Sequence, residues 1–303
     1  MAPSVVADVS GTQPVLSEDC MMVGVRLSNM SFKVKDDEVS AELVKQYDAE
    51  PNAFLFTKNR FYKEDISPVV SANGAIRAWV KKWTFKLPQA TDDNGQSKAP
   101  RLIVVSSMPT AMEELGVLLD DRDEAINVLL NNYDSFIEKG QKLMGGLFNR
   151  EDYPPLEEVR SKFSHNVALF GIPTVGNIDA GKYTDEMRRE EQDRQDAMVK
   201  KIHSDLLERF IDKVGNMADI LSKKAGDTRT QDSLIDHVRE LVEVIIPKCN
   251  LGDPALDELC KEARELCQYN AEQLKTVETV RERIATKAKK VEAKAKATAS
   301  DYF

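Results

Sequence analysis

Residues Phe163–Tyr183, FSHNVALFGIPTVGNIDAGKY, separate two regions of different pattern. Before them the sequence mixes aromatics, prolines and short apolar runs. After them the apolar residues recur at helical spacing almost without interruption. Within the stretch, Gly176-Asn177-Ile178-Asp179-Ala180-Gly181-Lys182 has the G-x-x-x-x-G-K spacing of a phosphate-binding loop. A strand-like run, Val167 to Ile172, precedes it and a helical pattern follows. We read the run as a connector for three reasons. Tyr183 stands where such a loop places the Mg²⁺-ligating hydroxyl, and Thr184 comes one place late. A phosphate-binding loop works inside a parallel sheet, and nothing downstream has strand period. Pro173, Gly176 and Gly181 are the residues that break a chain between two architectural halves.

The length of 303 residues suits about two domains. A hydrophobic content of 42 % with 31 % charged residues fits a packed core under a large helical surface. The net charge of −9 argues against the whole molecule coating nucleic acid, but leaves room for a local basic patch. No apolar run reaches membrane-spanning length, so no membrane association is expected. The opening MAPSVVADVSGTQPVL lacks the charged and apolar regions of a signal peptide. It reads as a flexible lead-in over 1–19, and the expected location is cytoplasmic. Cys20, Cys249, Cys260 and Cys267 form no C-x-x-C pair, and His165, His203 and His237 stand in no catalytic spacing. Cys260 and Cys267, seven apart on one helix face, read as buried free thiols. No metal, cofactor or catalytic residue is expected.

Cys20–Leu27 reads as a strand. Asp36–Tyr47 reads as a helix with Val39, Leu43 and Tyr47 on one face, ended by Pro51. Ile66–Trp83 reads as a second helix with Ile76, Trp79, Val80 and Trp83 inward, and Ala90–Pro100 as a polar loop. After Leu102–Val105, Thr110 and Glu113 have the spacing of a capping box that opens a helix running from Leu115 to Ile137. Gly145-Gly146 end that helix, and a short helix spans Leu156–Lys162.

From Thr184 onward a first long helix runs to Lys224, and a second carries Leu234 to Ile245 before Pro247 stops it. A third opens at Asp253-Pro254 with a heptad pattern. Leu256, Ala263, Asn270, Val277 and Ile284 share one heptad position; Leu259, Leu266, Gln273 and Val280 share the other. Asn270 and Gln273 would form a polar layer that fixes register. Two arrangements satisfy the pattern: an antiparallel hairpin within one chain, or a coiled coil between chains. In the second, the oligomer seam is Leu256, Leu259, Ala263, Leu266, Asn270, Val277, Val280 and Ile284.

Several segments resemble an uncharacterised domain family of phages and integrative mobile elements. These are Met22–Ser28 with Phe32 and Asp36, Lys58, Ile76-Arg77-Ala78, Thr84–Pro88 and Arg101-Leu102. The most specific are Leu147-Phe148-Asn149, Asp152-Tyr153-Pro154, Arg160, Phe163 and Ile172-Pro173. The resemblance spans roughly residues 20–250. Gln89 departs from it, standing where an aromatic is expected after Pro88. The family is often encoded beside MoxR-type AAA ATPases and von Willebrand A-domain proteins. The resemblance implies a phage or mobile-element accessory protein in a bacterial cytoplasm, a possible AAA ATPase as partner, and no catalytic residues to carry over.

Two stretches are basic. In Ile76–Lys86, IRAWVKKWTFK, cations interleave with aromatics, as in single-strand binding surfaces. However, Trp79 and Trp83 share a face with Ile76 and Val80 and read as core. In the last helix Arg281, Arg283, Lys287, Lys289, Lys290, Lys294 and Lys296 stand against Glu282 and Glu292. Such a run suits either the helix macrodipole or nucleic-acid contact.

The sequence thus predicts a mainly α protein. An α+β N-terminal region with a short-stranded small sheet (20–172) is joined by a linker (173–183) to a long-helix bundle or coiled-coil region (184–298), with a tail at 299–303. The expected function is a non-enzymatic interaction or scaffold protein that self-assembles into a homo-oligomer through its C-terminal helices. The alternative is a DNA-binding accessory in phage recombination or replication.

Overall fold

The computed structural model describes residues 16–87, 100–172, 185–223, 232–300 and 302. It is mainly α, with a small antiparallel sheet from the N-terminal region and long helices after it, the class the sequence predicts. The near-Walker run Gly176–Lys182, the linker at 173–183 and all of the Ala90–Pro100 loop but Pro100 lie outside the described residues.

A helical turn α1 (Leu16–Asp19) leads into β1 (Cys20–Ser28), β2 (Lys33–Lys35), α2 (Asp37–Gln46), β3 (Thr57–Asn59), α3 (Lys63–Trp83) and β4 (Thr84–Phe85). Next come β5 (Arg101–Val104), α4 (Met108–Asn131), α5 (Tyr133–Met144), α6 (Leu156–Lys162) and β6 (Ser164–Gly171). The sheet order is β4-β5-β1-β6, and β2 and β3 form a separate antiparallel ladder. Leu16, assigned by the sequence reading to the lead-in, is fully buried.

The chain divides into two compact units whose boundaries differ from the expected one at 173. One is Gly24–Lys81 with Thr110–Ala168; the other is Met1–Val23, Lys82–Pro109 and Leu169–Phe303. Strand pairing gives the reason. Cys20 to Val23 pair with Val104 to Arg101, and β4 pairs with β5, so these N-terminal pieces hold together. The Arg209 guanidinium on the first long C-terminal helix then donates to the carbonyls of Lys82 (2.7 Å) and Thr84 (3.1 Å), within the same unit.

In the first unit the core gathers Phe61, Ile126, Leu129, Leu130, Phe136 and Ile137 around the rings of Tyr133 and Tyr153. Burial of each such side chain contributes about 1.5–3 kcal/mol. Tyr133 donates to the Pro154 carbonyl (2.9 Å) and Tyr153 to that of Arg60 (2.6 Å), so neither buried hydroxyl is orphaned. Trp79 is buried and its indole N–H donates to the Ala111 carbonyl (2.7 Å), which settles the basic-aromatic stretch as core at this position. Arg122, wholly buried, donates to Asn73 Oδ1 (2.9 Å) and to the Ser28 carbonyl (2.7 Å).

Two helix starts and stops depart from the sequence reading. Thr110 and Glu113 form no opening cap, because the helix already begins at Met108, where Pro109 suits the first turn. The apolar pattern from Leu115 to Ile137 breaks at Asn132, whose side-chain amide donates to the Val128 carbonyl (2.8 Å) and competes with the backbone ladder. At the end of α5, Gly145 has φ of +53°, a conformation that favours glycine.

Gly140, inside α5, is a point of close approach. A Cβ there would lie 2.6 Å from the Arg60 carbonyl and would also press on the Tyr153 hydroxyl. Gly140→Ala is therefore expected to destabilise this unit by about 1–3 kcal/mol, despite alanine's better helix propensity. The check is a lower urea midpoint with an unchanged slope.

In the second unit, α7 (Asp185–Ser222) is followed by α8 (Asp232–Glu240), a π-helical turn at Leu241–Ile245 and α9 (Ile246–Cys249). Pro247 does not stop the helix as expected. It falls in the first turn of α9, just past the widened π turn, where its missing N–H is tolerated. Next are α10 (Pro254–Arg264), a 3-10 turn at Glu265–Cys267, α11 (Ala271–Thr276) and α12 (Glu278–Ala299). Asp253 caps α10, accepting from Ala255 N (2.8 Å) and Leu256 N (3.2 Å), as predicted.

The heptad helix is not continuous. Asn270 Oδ1 accepts from Gln273 N (2.9 Å) and Gln273 Oε1 accepts from Asn270 N (3.0 Å), a capping box that starts α11. The pair expected to form a polar core layer is instead an exposed helix start. Helix α12 packs against α7 along Ala285, Ala288, Ala295 and Ala299, small buried residues that let two helices approach closely. Arg281 meets Ile220 and Lys223, Glu292 lies beside Gly215, and Tyr302 touches His203, so α12 and α7 run antiparallel.

Candidate functional site

The expected oligomer seam does not survive as a surface. Leu256, Leu259, Ala263, Leu266 and Ile284 are buried within their own chain; Asn270 is an exposed cap, Val277 is exposed and Val280 is half-buried. Of the two arrangements left open, the structure has the intrachain one.

The cations of α12 are not a uniform nucleic-acid face. Arg281 is buried and donates to the carbonyls of Ile220 (2.8 Å), Lys223 (3.1 Å) and Leu274 (3.2 Å). Lys287 pairs with Glu265, Lys294 with Glu262, and Lys296 with Glu292 (2.6 Å). Arg283 lies over the Tyr269 ring and bonds its hydroxyl. Lys289 and Lys290 are exposed. Arg283, Lys287 and Lys290 line one wall of an open groove of about 580 Å³, with Thr279, Glu282 and Thr286.

All four cysteines are free and buried; burial pushes Cys20 and Cys260 up to about 12 and Cys249 and Cys267 to about 11. Such thiols are poor nucleophiles. The His203 ring sits between the Asn250 carbonyl (2.8 Å from Nε2) and Asp253 (3.3 Å from Nδ1), and burial lowers its pKa against the pull of Asp253. The Tyr302 hydroxyl bonds the same Asp253, which brings part of the expected tail onto the start of α10.

In the first unit, Lys58, Asp36, Leu147 and Asp152 converge. Lys58 Nζ lies 2.9 Å from Asp36 and 2.9 Å from Asp152, and donates to the Leu147 carbonyl (3.1 Å). Asp36 also caps α2, accepting from Val39 N (3.0 Å). That backbone bond, then the Lys58 hydrogen bond, holds the Asp36 carboxyl below its ordinary value of 3.8. Burial pulls the Lys58 ammonium down, but Asp152 and Asp36 outweigh it and raise its pKa above the ordinary value. The depressed Asp36 contributes stability that is present above its unfolded pKa and lost as pH falls through the folded one. The raised Lys58 contributes stability that is lost only above about pH 10. Chemical denaturation of Asp36→Asn should therefore show its deficit at pH 6–9 and lose it as pH falls through the lowered folded-state pKa of Asp36.

This knot anchors the base of an exposed knuckle at residues 47–55. Asp36 N donates to the Phe56 carbonyl (3.1 Å), and Phe56 N to Ser40 Oγ (3.0 Å). Ala49 N donates to the Val44 carbonyl and Ala53 N to that of Glu50, each at 3.0 Å. Asp48 and Asn52 adopt φ of +47° and +75°, left-handed positions that Asp and Asn tolerate best among non-glycine residues. The result presents Tyr47 and Leu55 at 63 % and 65 % exposure, with the Phe54 ring 5.7 Å from that of Tyr47. The sequence reading placed Tyr47 on the apolar face of α2. It stands in solvent because the chain turns away at Asp48. The signal for it was the pair of turn residues in YDAEPNAFL ahead of an unpatterned Phe-Leu.

No family model, curated protein or solved structure matches the chain. The phage-family resemblance therefore rests on its quoted residues alone.

Proposed function

We propose that this chain is a non-enzymatic interaction or scaffold protein that docks through the Tyr47–Leu55 knuckle. The observation behind this reading is the knuckle's construction. Ordered hydrogen bonds and two left-handed residues hold large apolar side chains out of the core. Backbone strain and exposed apolar surface in one ordered loop are features of binding loops. Asp36, Arg122 and Arg281, by contrast, are engaged in a cap and carbonyl contacts that serve the fold. A role in a phage or mobile element, and an AAA ATPase as partner, are supported by the sequence resemblance only. The DNA-accessory alternative is disfavoured by the pairing of Lys287, Lys294 and Lys296 and the burial of Arg281.

The test is site-specific photo-crosslinking in the cells that natively carry the protein. A photoreactive residue at 55 should give a discrete protein adduct, and one at the exposed control position Glu138 should not. Equal labelling at both positions, or none at 55, would contradict the reading.

A further inference from the structure

The knuckle and the groove on α12 have opposite charge. Around the knuckle, Asp37, Glu38, Glu42, Asp48 and Glu50 are exposed, against the single exposed cation Lys45 within 37–55. Helix α12 carries seven cations and three acids, and the groove presents Arg283, Lys287 and Lys290 beside Glu282, with Lys287 paired to Glu265. The Tyr269 ring lies under Arg283, and Val277 is an exposed apolar side chain just before α12. Two knuckles facing each other would bring like charges together, which disfavours a symmetric knuckle-to-knuckle dimer.

Resting on the interaction reading above, we infer that the acidic knuckle docks on the α12 groove of a second copy of this chain. Tyr47, Phe54 and Leu55 supply the apolar contact. Glu50 and its neighbours face Arg283 and Lys290. Each copy carries both surfaces, so the contact forms either a reciprocal two-fold pair or a head-to-tail ring or chain. Surface charges drive part of it, so salt weakens it.

Sedimentation velocity of the full chain over a concentration series, at low and high salt, tests this. The wild type should associate as concentration rises, and less so at high salt. Leu55→Asp and Lys290→Glu should each weaken association by about tenfold or more. The double change Glu50→Lys with Lys290→Glu should recover part of the loss. Unchanged circular dichroism and thermal midpoints would show that each variant is folded. A wild type that stays monomeric throughout overturns the inference. Association that ignores both single variants also overturns it, and assigns self-assembly to another surface. A crosslink from residue 55 to a different protein, with a monomeric wild type, would leave the interaction reading standing while this inference fails.

Discussion

Lys58→Met is expected to destabilise the unit formed by Gly24–Lys81 and Thr110–Ala168 by about 3–5 kcal/mol. The side chains of Asp36 and Asp152 are only 13 % and 14 % exposed, and Lys58 is the cation they share. Methionine fills the same volume and leaves two carboxylates close together without a counter-charge. The loss should be lower in acid, where the carboxylates protonate. A triple variant, Lys58→Met with Asp36→Asn and Asp152→Asn, should recover most of the deficit, because no buried charge then remains unpaired. Urea denaturation of the wild type, Lys58→Met and the triple variant at pH 7 provides the comparison. Asp36 also caps α2 and its amide holds Phe56, so Lys58→Met should weaken knuckle-dependent association as well. If Lys58→Met is as stable as wild type, the knot is a surface pair of little consequence.

Arg281→Met should cost the other unit about 3 kcal/mol or more. The guanidinium satisfies three carbonyls on two different segments, Ile220 and Lys223 near the end of α7 and Leu274 in α11. Methionine packs well but leaves all three without that donor. Arg281→Lys should recover only part of the loss, since an ammonium cannot reproduce the planar fork. By contrast, Lys290→Glu and Lys289→Glu should leave stability within about 0.5 kcal/mol of wild type. A thermal-denaturation series over these four variants would show whether α12 keeps one cation for the fold and others for the surface. Equal effects from Arg281 and Lys290 would contradict that division.

Local elements were legible wherever the chain's punctuation was unambiguous. Helix α6 spans Leu156–Lys162 as read, and Asp253-Pro254 opens α10 because a capping carboxylate and a first-turn proline agree. The heptads correctly mark Leu256, Leu259, Ala263, Leu266 and Ile284 as packed positions. They mislead on continuity, because an Asn and a Gln three apart spell both a polar core layer and a capping box. Only the tertiary context chooses between them. The cation run on α12 is legible as charge but not as direction. A seven-cation count does not tell that Arg281 points inward to carbonyls while Lys290 points out. The knuckle is the least legible feature. Helical spacing assigns Tyr47 to an apolar face, and the positive φ of Asp48 that removes it is a backbone property with no periodic signature. The division into units was also hidden, because it depends on β5 pairing with the first residues of β1, a long-range choice that short strands do not announce.

The C-terminal heptads close within their own chain, which leaves other surfaces for partners. Pulsed dipolar spectroscopy on Lys213→Cys/Lys289→Cys tests it most directly. Both positions are exposed, one on α7 and one on α12, and the four native thiols are buried away from the label. A short interspin distance that persists unchanged when labelled protein is diluted into excess unlabelled chain is the predicted result. A distance signal that disappears on dilution would place the pairing between chains and contradict the account.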